Sequence, residues 1–162
     1  MSENLSISRL PNDGSPAGTT RFGSAAEDRA VKYLIERGLH LVMTNFTVPV
    51  GRNRRGVQRT GEIDIIAVDG DVVCFIEVKA RRSTEFAPAT ANIDLRKQRQ
   101  IVRAARVYRR IFNIRGVSFR YDALTVVWPK GSPPTIEYLK DYWNESVFNK
   151  KRWHEGLVND SF

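Results

Sequence analysis

The stretch Gly61–Arg82, GEIDIIAVDGDVVCFIEVKARR, predicts the centre of the fold. Two apolar runs flank the dipeptide Asp69-Gly70, which suits the positive-φ positions of a tight hairpin turn. Because side chains alternate along a strand, this turn places Asp64 opposite Phe75 and leaves one side of the hairpin wholly apolar. The opposite side carries Glu62, Asp64, Phe75, Glu77 and Lys79.

The charged side of this hairpin suits a metal site. The carboxylates of Asp64 and Glu77 are diagonal neighbours within roughly 5–8 Å, and the carbonyl of Val78 offers a further oxygen. Hard cations such as Mg²⁺ and Mn²⁺ prefer such ligands, together with substrate phosphate and water. Lys79 would lie beside the cation, where its ammonium could orient a water molecule or stabilise charge on a phosphate.

The same residues also fit an exposed strand surface with ordinary cross-strand ion pairs, in which Lys79 pairs with Glu77 or Glu62. Against this interpretation, Glu62 lies directly opposite Glu77 in the predicted register, and like charges there destabilise a hairpin. From the residues alone, a metal site and a charged surface are about equally good interpretations.

The composition is that of a basic globular chain. Its 162 residues suit one domain, and 26 lysines and arginines against 18 acids leave a net charge of +8. This excess favours a polyanionic partner, nucleic acid before a membrane surface. The single cysteine suits a reducing compartment, and the sequence shows neither a signal peptide nor a membrane span. We therefore expect a cytoplasmic protein with no membrane association.

The flanking segments predict an α/β domain over residues 21–140, preceded by a disordered tail at 1–20 and followed by an extension at 141–162. A helix begins near Ser24, where Ser24 and Glu27 match a capping box, and ends at Gly38. Asp94 is the expected N-cap of a second helix that runs to about Phe112. Strands are predicted at 39–50, 117–128 and 135–139, in addition to the central hairpin.

Two segments concentrate the positive charge. Residues 51–60, GRNRRGVQRT, carry four arginines and fit either a solvated hairpin tip or a basic arm that contacts phosphates. The second helix carries like charges at spacings of three and four residues, which repel one another, so a phosphate-contacting surface is a better interpretation than a solvated face. This stripe comprises Arg96, Arg99, Arg103, Arg106 and Arg110, widened by Lys97 and Arg109.

The order of short motifs resembles a known family. The chain contains, in this order, Gly23-x-x-Ala26-Glu27-x-x-Ala30-x-x-Tyr33-Leu34, Asn45-Phe46, Gly61-Glu62-Ile63-Asp64, Phe75-Ile76-Glu77-Val78-Lys79-x-Arg81 and Arg120-Tyr121-Asp122. Asp64 followed by Glu77-Val78-Lys79 resembles the PD-(D/E)XK nuclease motif. With the other motifs, the region from about Arg21 to Leu139 more narrowly resembles the YraN family of bacterial proteins, which are similar to archaeal Holliday junction resolvases. The segment between Asn45 and Gly61 is longer and richer in arginine than is usual for that family.

This resemblance implies a restriction-endonuclease-like core: a mixed sheet with an antiparallel β-meander flanked by helices. It implies that Asp64 and Glu77 bind Mg²⁺ or Mn²⁺ and that Lys79 is the catalytic lysine. Glu27 would complete the metal site, although its place in a capping box is an equally good interpretation. Glu62 would be a supporting or additional acid.

The resulting functional prediction is a metal-dependent endonuclease that hydrolyses DNA phosphodiester bonds, with branched or recombination and repair intermediates as candidate substrates and a homodimer implied by the resemblance. The alternative is a non-catalytic nucleic-acid-binding or scaffolding protein, since a fold can lose catalysis and keep binding. The residues predicted to contact DNA are Arg52, Arg54, Arg55, Arg81, Arg82, Arg96, Lys97, Arg99, Arg103 and Arg106.

Overall fold

The computed structural model describes residues 17–83 and 93–149, which form one mixed sheet with helices on both faces. No helix in these ranges is both long enough and apolar enough to span a bilayer. The elements in chain order are α1 (Ala17–Glu36), β1 (His40–Arg52), β2 (Gln58–Asp69), β3 (Val72–Arg81), α2 (Leu95–Ile111), β4 (Ser118–Val127), β5 (Thr135–Trp143) and α3 (Ser146–Asn149).

The five strands are arranged in the order β1-β2-β3-β4-β5. β1, β2 and β3 form an antiparallel meander, β3 and β4 pair in parallel, and β5 is antiparallel to β4. α2 lies in the connection between β3 and β4, because parallel neighbours need a crossover. This order confirms the predicted α/β fold with a mixed sheet, and it is consistent with a restriction-endonuclease-like core.

Both faces of the central hairpin are buried, so the prediction of one apolar and one charged face is wrong. Ile66 and Phe75 pack in the cluster beneath α2, whereas Ile65 and Ile76 pack in the cluster beneath α1. A strand that is covered by helices on both faces of the sheet must carry apolar side chains on both faces. Its middle therefore loses the alternation of polar and apolar residues. The residues of the predicted charged face, Glu62, Asp64, Glu77 and Lys79, lie toward the open end of the hairpin.

The hairpin turn is formed by Gly70 and Asp71, one residue later than predicted. Gly70 adopts a φ of +60°, and Asp69 pairs with Val72. This shifts the register by two residues, so that Phe75 pairs with Ile66 instead of Asp64. Continuing the same register brings Asp64, rather than Glu62, to the level of Glu77. The predicted opposition of Glu62 and Glu77 is therefore wrong.

The ends of the helices are partly as predicted. α2 begins after Asp94, whose side chain accepts a hydrogen bond of 2.8 Å from the amide of Lys97, as an N-cap should. Gly38 adopts a φ of +85° just after α1, which confirms its role at the end of that helix. However, α1 already includes Ala17, so the capping box predicted at Ser24 is wrong: Ser24 lies inside the helix.

Two elements extend past the predicted limits of the domain at 21 and 140. Residues 17–20 belong to α1 rather than to a tail, and β5 continues across residue 140 to Trp143. Trp143 is buried and its ring stacks on that of Tyr121, with 5.4 Å between the ring centroids. The remainder of the predicted tail (1–16), the segment 84–92 between β3 and α2, and the end of the predicted extension (150–162) lie outside the described residues.

Candidate functional site

The predicted carboxylates converge where the pairing between β2 and β3 stops. The last paired residues on this side are Ile65 and Ile76. The amide of Val78 therefore donates to a side chain instead of to a strand carbonyl: its hydrogen bond to Oδ2 of Asp64 measures 2.7 Å. This bond fixes the Asp64 carboxylate beside that of Glu77, as the metal-site interpretation requires.

Glu77 is the buried centre of the site, since only 2% of its surface is exposed. Two ammonium groups contact its carboxylate. Nζ of Lys79 lies 3.1 Å from Oε1, and Nζ of Lys97 lies 3.2 Å from Oε2. Despite this ion pair, Oε2 accepts no hydrogen bond of good geometry from any side chain or amide that the structure describes. One oxygen of a buried carboxylate is thus incompletely satisfied.

The electrostatics of Asp64 are unusual for an aspartate. The pKa of Asp64 is raised to about 7, chiefly by burial and then by the neighbouring negative charge of Glu77. The hydrogen bond from Val78 and the charge of Lys97 oppose it without cancelling it. Two buried carboxylates repel each other and are poorly solvated, so a bound cation would stabilise them more than it would stabilise exposed carboxylates.

Lys97 belongs to the site, although its sequence position had predicted a place on the DNA-contacting surface. It was predicted to contact DNA as part of the basic stripe, but the structure places its ammonium on Glu77. Burial by itself would lower the pKa of Lys97, but the charges of Glu77, Asp64 and Glu62 outweigh burial and raise it, so the side chain is cationic. Only one feature of the sequence could have indicated that Lys97 belongs to the site. Lys97 lies three residues after the N-cap Asp94, in the first turn of α2.

Glu27 and Glu62 lie around the site rather than at its centre. Burial raises the pKa of Glu27, the charge of Asp64 raises it further, and a hydrogen bond with Asn45 opposes the rise. Asn45 adopts a φ of +52°, which few residues other than glycine and asparagine tolerate. Glu62 is exposed on β2 and acts on Glu27 and Lys97 only through its charge. Asn45 is therefore a site residue to which the sequence assigned no role.

The residues present fit a hard divalent cation with a small protein ligand set. In the described ranges no three carboxylate, imidazole or thiol side chains converge closely enough to hold a metal ion, so Glu27 is not placed as a third ligand. Asp64 and Glu77 remain, and Mg²⁺ commonly binds one or two carboxylates and completes its shell with water and substrate phosphate. The burial of Glu77 beside Asp64 and the raised pKa of Asp64 are both features that a bound cation would relieve.

The predicted DNA-contacting arginines lie in four places. Arg81 and Arg82 are at the end of β3, where the Arg82 guanidinium lies 3.7 Å from the ring centroid of Phe22. Arg106 is bound to Glu145, with 2.9 Å between Nη2 and Oε2. Arg96 is exposed on the first turn of α2. The remaining arginines, Arg52, Arg54, Arg55, Arg99 and Arg103, line adjoining concavities between the β1–β2 hairpin tip, α2 and Phe148.

The fold and the site define a class: an α/β protein whose mixed sheet holds two carboxylates and two lysines at the open end of a hairpin. The sequence profile described as Uncharacterised protein family UPF0102 matches residues 26–126. The chain belongs to this family, which is the YraN family that its motifs predicted.

Individual relatives agree with this assignment. A UPF0102 protein of Myxococcus xanthus (strain DK1622) is 32% identical over 124 residues, which cover 76% of this chain and 90% of the relative. UPF0102 protein sce2912 of Sorangium cellulosum (strain So ce56) is 36% identical over 132 residues, which cover 78% of this chain and 85% of the relative. A solved structure titled "Crystal structure of SSO0001" aligns with 11% identity and a TM-score of 0.38, over 90% of this chain and 63% of that chain. This similarity is too low to support an argument.

Proposed function

We propose that this protein is a divalent-metal-dependent endonuclease that hydrolyses phosphodiester bonds in DNA. The observation that carries the proposal is the convergence of Asp64, Glu77, Lys79 and Lys97 on one buried point at the open end of the β2–β3 hairpin. Two carboxylates suit a metal ion, and two ammonium groups suit the phosphate that would approach it. A purely structural ion-pair cluster would not need Asp64, whose burial beside Glu77 is unfavourable.

Each residue has a separate role in this proposal. A Mg²⁺ or Mn²⁺ ion held by Asp64 and Glu77 would supply Lewis-acid polarisation of a phosphoryl oxygen and a more acidic bound water. The amide of Val78 holds the Asp64 carboxylate in position. Lys79, with a side chain that is 35% exposed, can turn from Glu77 toward a phosphate and stabilise the charge that develops there. Lys97 would neutralise the same phosphate from the side of α2.

Branched DNA and a homodimer belong to the same proposal, and the resemblance to junction resolvases supports them. A symmetric dimer would present two such sites to a substrate with two-fold symmetry. Sedimentation equilibrium of the purified chain, alone and with a four-way junction, tests this part independently of cleavage.

The decisive experiment is a cleavage panel of single-stranded, duplex, flap and four-way DNA with Mg²⁺ and with Mn²⁺. We expect Asp64→Asn and Glu77→Gln each to lower the rate of cleavage by at least about a thousandfold, since either change removes a charged ligand. Asp71→Asn, the same substitution at an exposed turn residue, is the matched control and should leave the rate unchanged. Cleavage that persists in both site variants would refute the assignment.

A second candidate function, binding without catalysis, is supported by two observations. Both oxygens of Glu77 already face lysine ammonium groups, and within the described residues no three metal-binding side chains converge. If the wild-type protein binds junction DNA with high affinity but cleaves none of the substrates with either metal, the non-catalytic alternative is correct.

A further inference from the structure

The segment 51–60 is a hairpin tip held together by its own hydrogen bonds. The amides of Arg55 and Val57 both donate to Oδ1 of Asn53, at 2.9 Å each, and the amide of Asn53 donates to the carbonyl of Val57. Nη1 of Arg52 donates to the carbonyl of Gly56. Asn53 therefore holds the tip in one conformation, from which its arginines extend.

This hairpin tip lies against α2, and the two segments enclose a cationic concavity. A volume of about 500 Å³ is lined by Arg103 of α2 and by Asn53 and the arginines of the tip. A second concavity of about 350 Å³ continues along the helix past Arg103 to Arg110, with Pro49 and Val50 as its other wall. A third concavity is lined by Arg99, Arg103 and Phe148 and shares Arg103 and Arg106 with the second. We call these three concavities, which share Arg103, the arginine trough.

The charge of the trough is not neutralised by the protein itself. In the parts of the chain that the structure describes, no acidic side chain lines any of the three concavities. Arg106 is the exception among the arginines that line the trough, because Glu145 binds it together with its neighbour Arg109. Like charges gathered without acids destabilise the folded chain, so the arrangement indicates a polyanionic ligand. The arginines that form no ion pair within the described residues are Arg52, Arg54, Arg55, Arg59, Arg99, Arg103 and Arg110.

We propose that the arginine trough binds the sugar-phosphate backbone of a nucleic acid, with Arg103 at its centre and Asn53 as the positioning residue of the hairpin tip. The trough offers guanidinium groups, which pair with phosphates, and its one aromatic residue, Phe148, is half-buried against the core. It therefore lacks the exposed stacking platforms that read single-stranded bases. The bound partner is recognised by charge and shape, without base specificity.

The trough also extends away from the candidate active site. Lys97, on Glu77, lies near the beginning of α2, and Arg110 lies near its end, so that the two are separated by about 20 Å along the helix axis. At about 3.4 Å per nucleotide along each strand, this length corresponds to roughly six phosphates on one side of the reactive one. This number of phosphates rests on the proposed function, because it assumes that the nucleic acid bound in the trough is also the substrate.

The test uses the full chain with Asp64→Asn, in EDTA, so that binding is measured without cleavage. Fluorescence anisotropy with a labelled 20-base-pair duplex gives the affinity at several salt concentrations. We expect Arg103→Gln to weaken binding by several-fold and Arg54→Gln/Arg55→Gln by tenfold or more, with the salt slope reduced by about one for each arginine removed. The matched control is Arg37→Gln in the turn that follows α1, the helix that covers the opposite face of the sheet.

Asn53→Ala separates positioning from charge, because it removes no charge from the trough. We expect it to weaken binding, since the arginines of the tip are then no longer held in place. Wild-type affinity in both arginine variants, or wild-type binding that ignores salt, would overturn the proposal, and the latter outcome would point to an acidic protein surface. Binding through the trough without any cleavage by the wild-type protein would refute only the proposed function.

Discussion

Asp64 and Asp122 are two aspartates embedded in the same sheet, but their surroundings are opposite. Asp122 is fully buried and accepts hydrogen bonds from Nε of Arg120, at 3.0 Å, from the amide of Asp141, at 2.8 Å, and from the hydroxyl of Tyr138. Asp64 accepts one bond from Val78 and faces the like charge of Glu77. The carboxylate of Asp122 is therefore satisfied by the fold, whereas that of Asp64 is satisfied only in part.

This difference predicts a pH dependence of stability for the metal-free protein. The pKa of Asp64 is raised to about 7, so the folded state holds its proton more tightly than the unfolded chain does. The free energy of unfolding should therefore fall as the pH rises from about 4 to about 7. Asp64→Asn keeps an oxygen that accepts the hydrogen bond from the amide of Val78, and it has no charge to lose stability as the pH rises. It should therefore stabilise the protein by on the order of 2 kcal/mol at pH 8.

Urea unfolding of both proteins in EDTA, at pH 4.5 and pH 8, measures this effect. A wild-type stability that rises over that interval relative to the Asp64→Asn variant would contradict it. If Asp64 and Glu77 bind Mg²⁺ as proposed, adding Mg²⁺ at pH 8 should restore the stability of the wild-type protein and leave that of the variant unchanged, because only the wild-type protein retains both carboxylates of the proposed site.

Asp122→Asn is the matched substitution, and we expect the opposite result. It removes the negative charge beside Arg120 and turns an amide donor toward groups that already donate. Breaking a buried pair in this way should destabilise the protein by about 3 kcal/mol, measured by urea unfolding. An unchanged free energy of unfolding would contradict the role of this hydrogen-bond network in stabilising the fold around the Arg120-Tyr121-Asp122 motif.

At the level of elements, the packing of α2 on the meander places Lys97 in the site. Gly61 of β2 makes this packing close. A Cβ atom at this position would lie 2.7 Å from Cγ1 of Val50 and 3.0 Å from the carbonyl oxygen of Gln100. The first neighbour is a side chain that can move, but the second belongs to the backbone of α2. The glycine of the Gly61-Glu62-Ile63-Asp64 motif thus allows the helix to approach the strand.

We therefore predict that Gly61→Ala destabilises the protein by about 1–3 kcal/mol, because α2 must move away from the sheet. The same displacement should withdraw Lys97 from Glu77 and lower any cleavage activity. Gly23→Ala is the control: it lies inside α1 with no atom within 4 Å of the added Cβ, and it should be neutral or slightly stabilising. Thermal unfolding of both variants distinguishes these outcomes, and equal stabilities would contradict the packing argument.

Helices and strands were predicted best where they are specified by residues close together in the sequence. The cap at Asp94, the glycine at Gly38 and the apolar runs of β2, β3 and β4 each depend on neighbours along the chain. The hairpin register was wrong by two residues, because Asp69-Gly70 and Gly70-Asp71 are both acceptable turn dipeptides. Only the packing of Ile66 and Phe75 beneath α2 distinguishes them.

For the whole molecule, the arginine trough predicts a finite footprint on nucleic acid. The salt slope of binding should increase with duplex length up to about six to eight base pairs for each protomer and then level off, since the helix axis from Lys97 to the far end of the trough spans roughly six phosphates. Anisotropy titrations with duplexes of increasing length, using the Asp64→Asn protein in EDTA, measure this directly. A slope that continues to increase to twenty base pairs would show that the contact surface is much larger than the trough.

By itself, the sequence determined the strands, the two long helices, the family and the identity of Asp64, Glu77 and Lys79 as candidate site residues. Periodicity, caps and motif spacing express these features, and all of them are local in the chain. Only the tertiary structure decided that Asp64 is level with Glu77, that Lys97 joins them, and that the hairpin tip and α2 form one trough. The reason is physical: the position of one charge relative to another across elements depends on turn register and on how closely a helix packs on a strand, and neither is encoded in any single stretch.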